Sequence, residues 1–180
     1  MNCYLCNHTE FNTRPGTVRD DASLKIFECT NCGLVGLSSL QHIKEGHYED
    51  SGMHGSDLPS INTWLRETEQ DDQRRLEMVK SSIVNRNILD FGCGAGGFLQ
   101  KAQAFSANVA GVEPELRIRE HWGDSITMHA DLEDAGEEYD LITAFHVVEH
   151  LPDPCTTLKQ LASRLKSNGR MIIEVPNSED

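Results

Sequence analysis

The chain has 180 residues, 38% of them hydrophobic, and a formal net charge of −13 at neutral pH. This length suits one full domain, or a small module joined to part of a larger domain. No apolar run approaches the roughly 20 residues that span a membrane, and the acidity disfavours a nucleic-acid surface, which needs clustered Lys and Arg. The N-terminal residues carry no signal-peptide pattern, so we expect a cytoplasmic globular protein.

Four of the six cysteines form two Cys-x-x-Cys pairs, Cys3 with Cys6 and Cys29 with Cys32. Each such turn directs two thiolates at one point, and two turns complete a tetrahedron around a metal ion. We interpret residues 1–40 as a zinc ribbon, in which the metal stabilises a segment too small to bury its own core. Two disulfides are the alternative, which a reducing compartment disfavours.

Residues 41–84 are predicted to be a linker followed by a helical segment. The first part, residues 41–60, is polar and without periodicity, and we expect a linker that folds over a ligand. Apolar residues recur at helical spacing over residues 61–84, which suits one long helix or two short ones. Two aromatic residues of this part, Tyr48 and Trp64, are candidates for contact with the ligand.

Strand and helix patterns alternate after residue 85, which predicts a Rossmann-like, doubly wound, mostly parallel α/β sheet. The predicted strands are Ile88–Phe91, Val109–Glu113, Ser125–Met128, Tyr139–Phe145 and Arg170–Val175. The predicted helices begin at Gly96, Pro114 and Pro154, and the last runs to Lys166 before ending at Asn168-Gly169. We therefore predict one sheet domain over residues 85–180.

A glycine-rich run, Asp90–Gly97, lies between the first predicted strand and its helix. Glycines let the backbone turn tightly and approach a ligand at a helix N-terminus. Three of these glycines also fit a dinucleotide-binding pattern, with Glu113 at the distance expected for a ribose ligand. Asp90 argues against a dinucleotide, because a carboxylate there would repel a pyrophosphate and suits a ligand with a cationic end.

The pattern Asp90-x-Gly92-x-Gly94-x-Gly96 resembles motif I of the class I S-adenosylmethionine-dependent methyltransferases. The resemblance implies that these residues bind S-adenosylmethionine, which has a sulfonium and an ammonium but no phosphate. Glu113, at the end of the second strand, would accept hydrogen bonds from both ribose hydroxyls. The alternative for Glu113 is a surface acid favoured by the dipole of the following helix.

Asp131 and Leu132 follow the third predicted strand. In the resembled family, an acid at this position accepts a hydrogen bond from the adenine amino group, and the next backbone N–H meets a ring nitrogen. The resemblance therefore implies that Asp131 and Leu132 bind the adenine. A solvated acidic loop is the alternative, because further acidic residues follow directly.

The segment Phe145–Asp153 resembles the stretch after the fourth strand of many small-molecule methyltransferases, which implies that Phe145 or His146 lies beside the cofactor. His146, Glu149 and His150 fall at i, i+3 and i+4, so on a helical turn they would share one face. They are candidates for acid–base catalysis. A divalent-metal site and a structural role are the alternatives. Ubiquinone-pathway O-methyltransferases and small-RNA methyltransferases bind a divalent cation with Glu where this chain has His146.

The chain also resembles bacterial methyltransferases with an N-terminal four-cysteine zinc ribbon, found among sugar C-methyltransferases and in natural-product pathways. This implies an S-adenosylmethionine-dependent methyltransferase that acts on a small molecule, for example a sugar or a natural-product intermediate. The class normally has a sixth and a seventh strand, so we expect residues 85–180 to be C-terminally incomplete. The other hypotheses are a dinucleotide-dependent oxidoreductase and a non-catalytic zinc-ribbon binding module.

Overall fold

The computed structural model describes residues 2–18, 21–39, 58–136 and 138–177. Within these residues, a small antiparallel sheet is followed by a five-stranded parallel sheet with helices on both faces. Most of the predicted linker, including Tyr48, lies outside the described residues. Within the described part of the chain, no helix is both long and apolar enough to cross a membrane.

The N-terminal sheet consists of three short antiparallel strands, β1 (Phe11–Arg14), β2 (Ile26–Cys29) and β3 (Val35–Leu37). The rings of Phe11 and Phe27 meet edge to face, with their centroids 6.4 Å apart. A sheet of this size buries too little apolar surface to be stable alone. It therefore needs a further source of stability, and the four clustered cysteines described below are the candidate.

The second sheet contains five parallel strands in the order β6-β5-β4-β7-β8. They are β4 (Asn87–Phe91), β5 (Asn108–Val112), β6 (Thr127–His129), β7 (Tyr139–Phe145) and β8 (Leu165–Glu174). The predicted Rossmann-like, doubly wound parallel sheet is confirmed. The strand order reverses between β4 and β7, and ligands of such sheets bind at the carboxyl ends of the strands beside this point.

Among the described residues, four α-helices cover the parallel sheet: α1 (Ile61–Ile83), α2 (Gly97–Ala102), α3 (Leu116–Trp122) and α4 (Pro154–Ser163). The first three contribute side chains to the core on one face of the sheet, and α4 contributes to the core on the other face. The side chain of Asp153 caps α4 by accepting a hydrogen bond from the Thr156 backbone N–H at 3.0 Å.

Helix α1 is one continuous helix of 23 residues, so the first of the two predicted alternatives is correct. Ser60 caps its N-terminus by accepting a hydrogen bond from the Thr63 backbone N–H. Its buried residues Leu76, Val79 and Ile83 belong to the same core as side chains of β4 and α2. The helix that the sequence places before the sheet domain therefore packs as one layer of it.

The predicted boundary between the last helix and the last strand is wrong. The sequence predicts a helix to Lys166, but α4 ends at Ser163 and β8 begins two residues later. The reason is a bulge in which residues 166–169 of β8 lie opposite a single residue of β7. Gly169 lies in this bulge, where a Cβ atom would be 2.8 Å from the Tyr139 carbonyl oxygen. The glycine that predicts a helix end instead allows a close backbone contact.

The third strand of the parallel sheet also begins later than predicted, at Thr127 rather than Ser125. Ser125 belongs to the turn after α3, since its backbone N–H donates to the Trp122 carbonyl oxygen at 2.8 Å.

We predict that Leu76→Ala destabilises the parallel-sheet domain by about 2–5 kcal/mol, because Leu76 is 5% exposed and packs in the shared core. Met78→Ala is the control on the same helix, since Met78 is 51% exposed, and we expect a change within about 0.5 kcal/mol. Urea unfolding followed by circular dichroism measures both free energies. Equal effects of the two substitutions would contradict the placement of α1 in the core.

Candidate functional site

The turn between β4 and α2 is a glycine loop, defined here as residues 92–96, at the point where the strand order reverses. Gly92, Gly94 and Gly96 have φ angles of 69°, 51° and 80°. These left-handed conformations are accessible to glycine at little cost and are rare for other residues. The glycines of the predicted motif are therefore required by the backbone path of the loop.

Three large side chains surround the glycine loop. A Cβ atom on Gly92 would lie 2.4 Å from Val147, one on Gly94 would lie 3.1 Å from Trp64, and one on Gly96 would lie 2.5 Å from Trp122. The indole N–H of Trp122 also donates to the Ala95 carbonyl oxygen at 2.9 Å. Both tryptophans of the chain thus touch the loop, and the contact of Trp64 with a ligand stays a prediction.

Asp90 lies at the end of β4, directly below the glycine loop, and is 3% exposed. Its Oδ1 accepts a hydrogen bond of 2.7 Å from the Thr143 hydroxyl. Burial raises the pKa of Asp90 to about 7, and the nearby carboxylates of Asp72 and Glu113 act in the same direction. The site therefore holds an acid that is costly to ionise, although the Arg75 guanidinium offsets part of this cost.

Glu113 follows β5 and is buried beside the glycine loop. Its Oε2 accepts a hydrogen bond of 2.9 Å from the Gly94 backbone N–H, and its Oε1 accepts one of 3.0 Å from the Glu115 N–H. The carboxylate thus connects the loop after β4 to the loop after β5. Glu113 is buried, so the alternative of a surface acid is wrong, and its ribose role stays a prediction.

The predicted adenine-binding residues lie after β6, at the same edge of the sheet. Asp131 is exposed, and its carbonyl oxygen accepts a hydrogen bond from the Asp134 backbone N–H. Leu132 is buried in the core on the α4 face, with Ala135 and Tyr139. The side chain of Leu132 therefore has a packing role.

Phe145 ends β7 and its ring is buried on the α1 and α2 face of the sheet. The ring meets Phe98 edge to face at a centroid distance of 5.2 Å, and the Arg75 guanidinium lies 4.7 Å from its centroid. These contacts place the aromatic ring in the core beneath the glycine loop.

The structure brings the three candidate catalytic residues together after β7. His146 Nδ1 lies 3.4 Å from Glu149 Oε1, and His150 Nε2 lies 3.9 Å from the same oxygen. The predicted shared face of a helical turn is replaced by a short 3₁₀ helix, Val148–His150, preceded by His146 with a φ of 58°. The group resembles an acid–base arrangement in which a carboxylate orients imidazoles.

Three residues that support His146 were not predicted from the sequence: Glu174, Arg74 and Arg75. His146 Nε2 lies 3.1 Å from Oε1 of Glu174, the last residue of β8. Glu174 in turn accepts hydrogen bonds from Arg74 and Arg75 of α1 at 3.0 Å and 2.7 Å. Burial acts to raise the pKa of Glu174, but the hydrogen bonds from the two arginines outweigh it and the pKa is lowered. The signal available in the sequence was that Glu174 is an acid near the carboxyl end of a predicted strand, where ligand-binding residues of such sheets lie.

The four predicted metal ligands form one cluster in the N-terminal sheet. Their sulfur atoms lie within 4.8 Å of one another, and the pairs Cys3–Cys32 and Cys6–Cys29 are 3.6 Å apart. A disulfide needs about 2.05 Å between sulfurs, whereas a tetrahedral zinc site with Zn–S bonds of about 2.3 Å needs about 3.8 Å. The four cysteines are unbridged at this spacing, so the geometry fits a metal site better than it fits two disulfides.

The two Cys-x-x-Cys turns have the same backbone hydrogen bonds. In each turn, the N–H four residues after the first cysteine donates to that cysteine's carbonyl oxygen, at 2.8 Å for Asn7 and 2.9 Å for Gly33. Both donors have positive φ angles, 59° and 72°. This repetition presents the two sulfur pairs to each other in equivalent ways, as a tetrahedral site requires.

Residues 64–180 match the family described as a methyltransferase domain. The chain belongs to this methyltransferase-domain family. The family predicted from the glycine pattern is therefore confirmed, and the match includes α1 from Trp64 onward together with the whole parallel sheet.

Two curated relatives of this methyltransferase-domain chain are ubiquinone biosynthesis O-methyltransferases. That of Hydrogenovibrio crunogenus is 31% identical over 157 residues, which cover 78% of this chain and 60% of the relative. That of Stutzerimonas stutzeri is 30% identical over 109 residues, which cover 53% of this chain and 47% of the relative. The chain thus spans about half to three fifths of the length of these relatives.

Solved methyltransferases share the fold. Magnesium protoporphyrin IX methyltransferase from Synechocystis PCC 6803, with bound S-adenosylmethionine, has a TM-score of 0.55 at 18% identity, covering 80% of this chain and 77% of that one. An S-adenosylmethionine-dependent methyltransferase from Archaeoglobus fulgidus has a TM-score of 0.52 at 25% identity, covering 61% and 53%.

We predict that Asp90→Asn stabilises the folded protein at pH 8. The folded-state pKa of about 7 lies above the unfolded value of about 4, so the folded state loses stability as the pH rises between these values. The variant has no carboxyl group to ionise, so it lacks this cost. We expect its free energy of unfolding at pH 8 to be about 2–4 kcal/mol higher than that of the original protein. Near pH 4 the difference should vanish. Urea unfolding of both proteins at the two pH values measures this, and a pH-independent difference would contradict the assignment.

Proposed function

We propose that this chain binds S-adenosylmethionine at the glycine loop and transfers its methyl group to a small-molecule acceptor. The observation that carries the proposal is the buried Asp90 under the glycine loop of a methyltransferase-domain chain. A dinucleotide would bring a pyrophosphate to this loop, and the carboxylate would repel it. A ligand with a sulfonium and an ammonium would instead neutralise the acid, which is what a buried carboxylate requires.

The residues around the loop fit the parts of this ligand. Asp90 would face its cationic end, and the backbone of the glycine loop would contact it closely because no Cβ atoms intervene. Glu113 would accept hydrogen bonds from the ribose hydroxyls, Asp131 would accept one from the adenine amino group, and the backbone N–H of Leu132 would meet a ring nitrogen. When bound, S-adenosylmethionine supplies a methyl group that is already activated, so the protein mainly orients the reactants and excludes water.

We propose an acceptor that carries a hydroxyl group, as the names of the two O-methyltransferase relatives suggest. An oxygen nucleophile must lose a proton when it is methylated. The group of His146, Glu149 and His150 lies after β7 and would take this proton, with Glu149 Oε1 3.4 Å from His146 Nδ1 and 3.9 Å from His150 Nε2. Sugars and natural-product intermediates both offer such hydroxyls. Phe145 would support the site through its core packing.

Intrinsic fluorescence tests the binding proposal, because both tryptophans touch the glycine loop. We predict that S-adenosylhomocysteine changes this fluorescence saturably and that NAD does not. Glu113→Gln should weaken binding about tenfold or more, since it removes charge-assisted hydrogen bonds to the ribose. Glu120→Gln, on the exposed side of α3, is the matched control and should bind as the original protein does.

Saturable binding of NAD with no response to S-adenosylhomocysteine would overturn the proposal in favour of an oxidoreductase. A response to neither ligand would favour a non-catalytic binding module. Equal binding by the Glu113 and Glu120 variants would leave the cofactor class standing but remove Glu113 from the ribose site.

We further propose that residues 1–40 form a zinc ribbon, that residues 41–84 connect it to the sheet domain of residues 85–180, and that the protein works in the cytoplasm. The support for zinc is the set of four free thiols with tetrahedral spacing. A reducing compartment keeps such thiols available for a metal.

We predict about one zinc ion per chain in purified protein, as a closed four-cysteine site requires. Cys32→Ser should lose the zinc and lower the melting temperature, whereas Cys155→Ser should keep both, because Cys155 lies outside the cluster. Elemental analysis by mass spectrometry and thermal unfolding measure these effects. Metal-free protein with four of its thiols oxidised would show that the ribbon is held by disulfides instead.

A further inference from the structure

Arg75 contacts Asp72, which lies against the start of α2, and Glu174, which lies beside His146. Its side chain is 12% exposed, and its guanidinium lies over the ring of Phe145. One nitrogen is 2.7 Å from Glu174 Oε1, and another is 3.6 Å from Asp72 Oδ1. A buried guanidinium must keep its carboxylate partners, because an unpaired buried charge is costly.

Asp72 connects Arg75 to the start of α2, directly after the glycine loop. The Asp72 Oδ2 lies 2.2 Å from the position that a Cβ atom would take on Gly97, so the carboxylate rests on the first residue of α2. The Thr68 hydroxyl donates to the same oxygen at 2.9 Å. A movement of the backbone at the start of α2 would therefore displace the Asp72 carboxylate, which is in contact with it.

Glu174 connects Arg75 to His146. The backbone N–H of His146 donates to the Glu174 carbonyl oxygen at 2.8 Å, and His146 Nε2 lies 3.1 Å from Glu174 Oε1. His146 has a φ of 58°, a conformation that few residues other than glycine adopt. Two contacts from Glu174 thus hold His146 in a strained backbone conformation, and Glu174 and Glu149 together set the direction of its imidazole.

We propose that Arg75 and Glu174 are positioning residues for His146, and that they make the orientation of its imidazole depend on ligand binding at the glycine loop. The inference rests on the proposed function. A ligand that moves the loop displaces the Asp72 carboxylate, Arg75 follows to keep its partner, and Glu174 changes its contact with His146. The two sites are then coupled through the contiguous side chains of Asp72, Arg75 and Glu174.

Histidine NMR tests this coupling without an activity assay. The protein is labelled with ¹³C at histidine, the His146 signal is assigned by its loss in His146→Gln, and spectra are recorded with and without saturating S-adenosylhomocysteine. We expect the His146 signal to move when the ligand binds. In Arg75→Met, the ligand should still change the tryptophan fluorescence, but the shift of the His146 signal should fall about fivefold or more.

Arg74→Met is the matched control. Arg74 also bonds Glu174, at 3.0 Å, but its other acidic contact is the exposed Asp71 rather than Asp72. Because this variant removes a Glu174 contact but leaves the Asp72–Arg75 link in place, we expect it to keep more of the ligand-induced shift than Arg75→Met does. Glu174→Gln is the second variant, which keeps the size of the side chain and should reduce the shift as Arg75→Met does, whether or not Arg75→Met folds.

The outcomes separate this inference from the proposed function. If the original protein does not bind S-adenosylhomocysteine, the proposed function fails and the inference fails with it. If the ligand binds but the His146 signal does not move, or moves equally in the original protein and in Arg75→Met or Glu174→Gln, the inference alone is overturned.

Discussion

Helix α1 lies against the start of α2 because Gly97 has no side chain, and the Asp72 carboxylate occupies the space where a Cβ atom would be. This contact brings Trp64 onto the glycine loop and Arg75 over Phe145. The same helix buries Leu76 and Val79 in the core of the parallel sheet. One amphipathic helix thus supplies part of the core, one side of the proposed cofactor site and the arginines that hold Glu174.

The sequence was most informative where function depends on local spacing. The glycine loop, the acid before it and the two Cys-x-x-Cys turns each lie within a few residues, so their chemistry can be read without the fold. The cluster of His146 and Glu149 is similarly local. The Arg75–Glu174 pair is different, because its members are 99 residues apart in the chain and meet only when α1 packs across the carboxyl ends of β7 and β8. No periodicity or spacing in the sequence predicts that Arg75 and Glu174 are in contact.

The wrong prediction of where α4 ends and β8 begins also results from a contact between residues that are distant in the sequence. Asn168-Gly169 is a good local signal for a helix end, and the glycine is indeed needed for its small size. Its neighbour, however, is the carbonyl oxygen of Tyr139 in the adjacent strand. Pairing with the neighbouring strand β7 determines the structure at this position. That strand lies too far away in the sequence for a local pattern to include it.

Acidic residues dominate the surroundings of the glycine loop. Asp72, Asp90 and Glu113 are all buried there, and burial raises the pKa of both Asp72 and Asp90. Arg75 is already engaged by Asp72 and by Glu174, so it offsets only part of this charge. Buried acids that destabilise the folded protein are typical of functional sites, where they serve ligand binding rather than stability. A ligand that adds negative charge would increase the cost, whereas one with a positive end would reduce it. The electrostatics of the loop, independently of its sequence pattern, therefore favour a cationic nucleoside over a pyrophosphate.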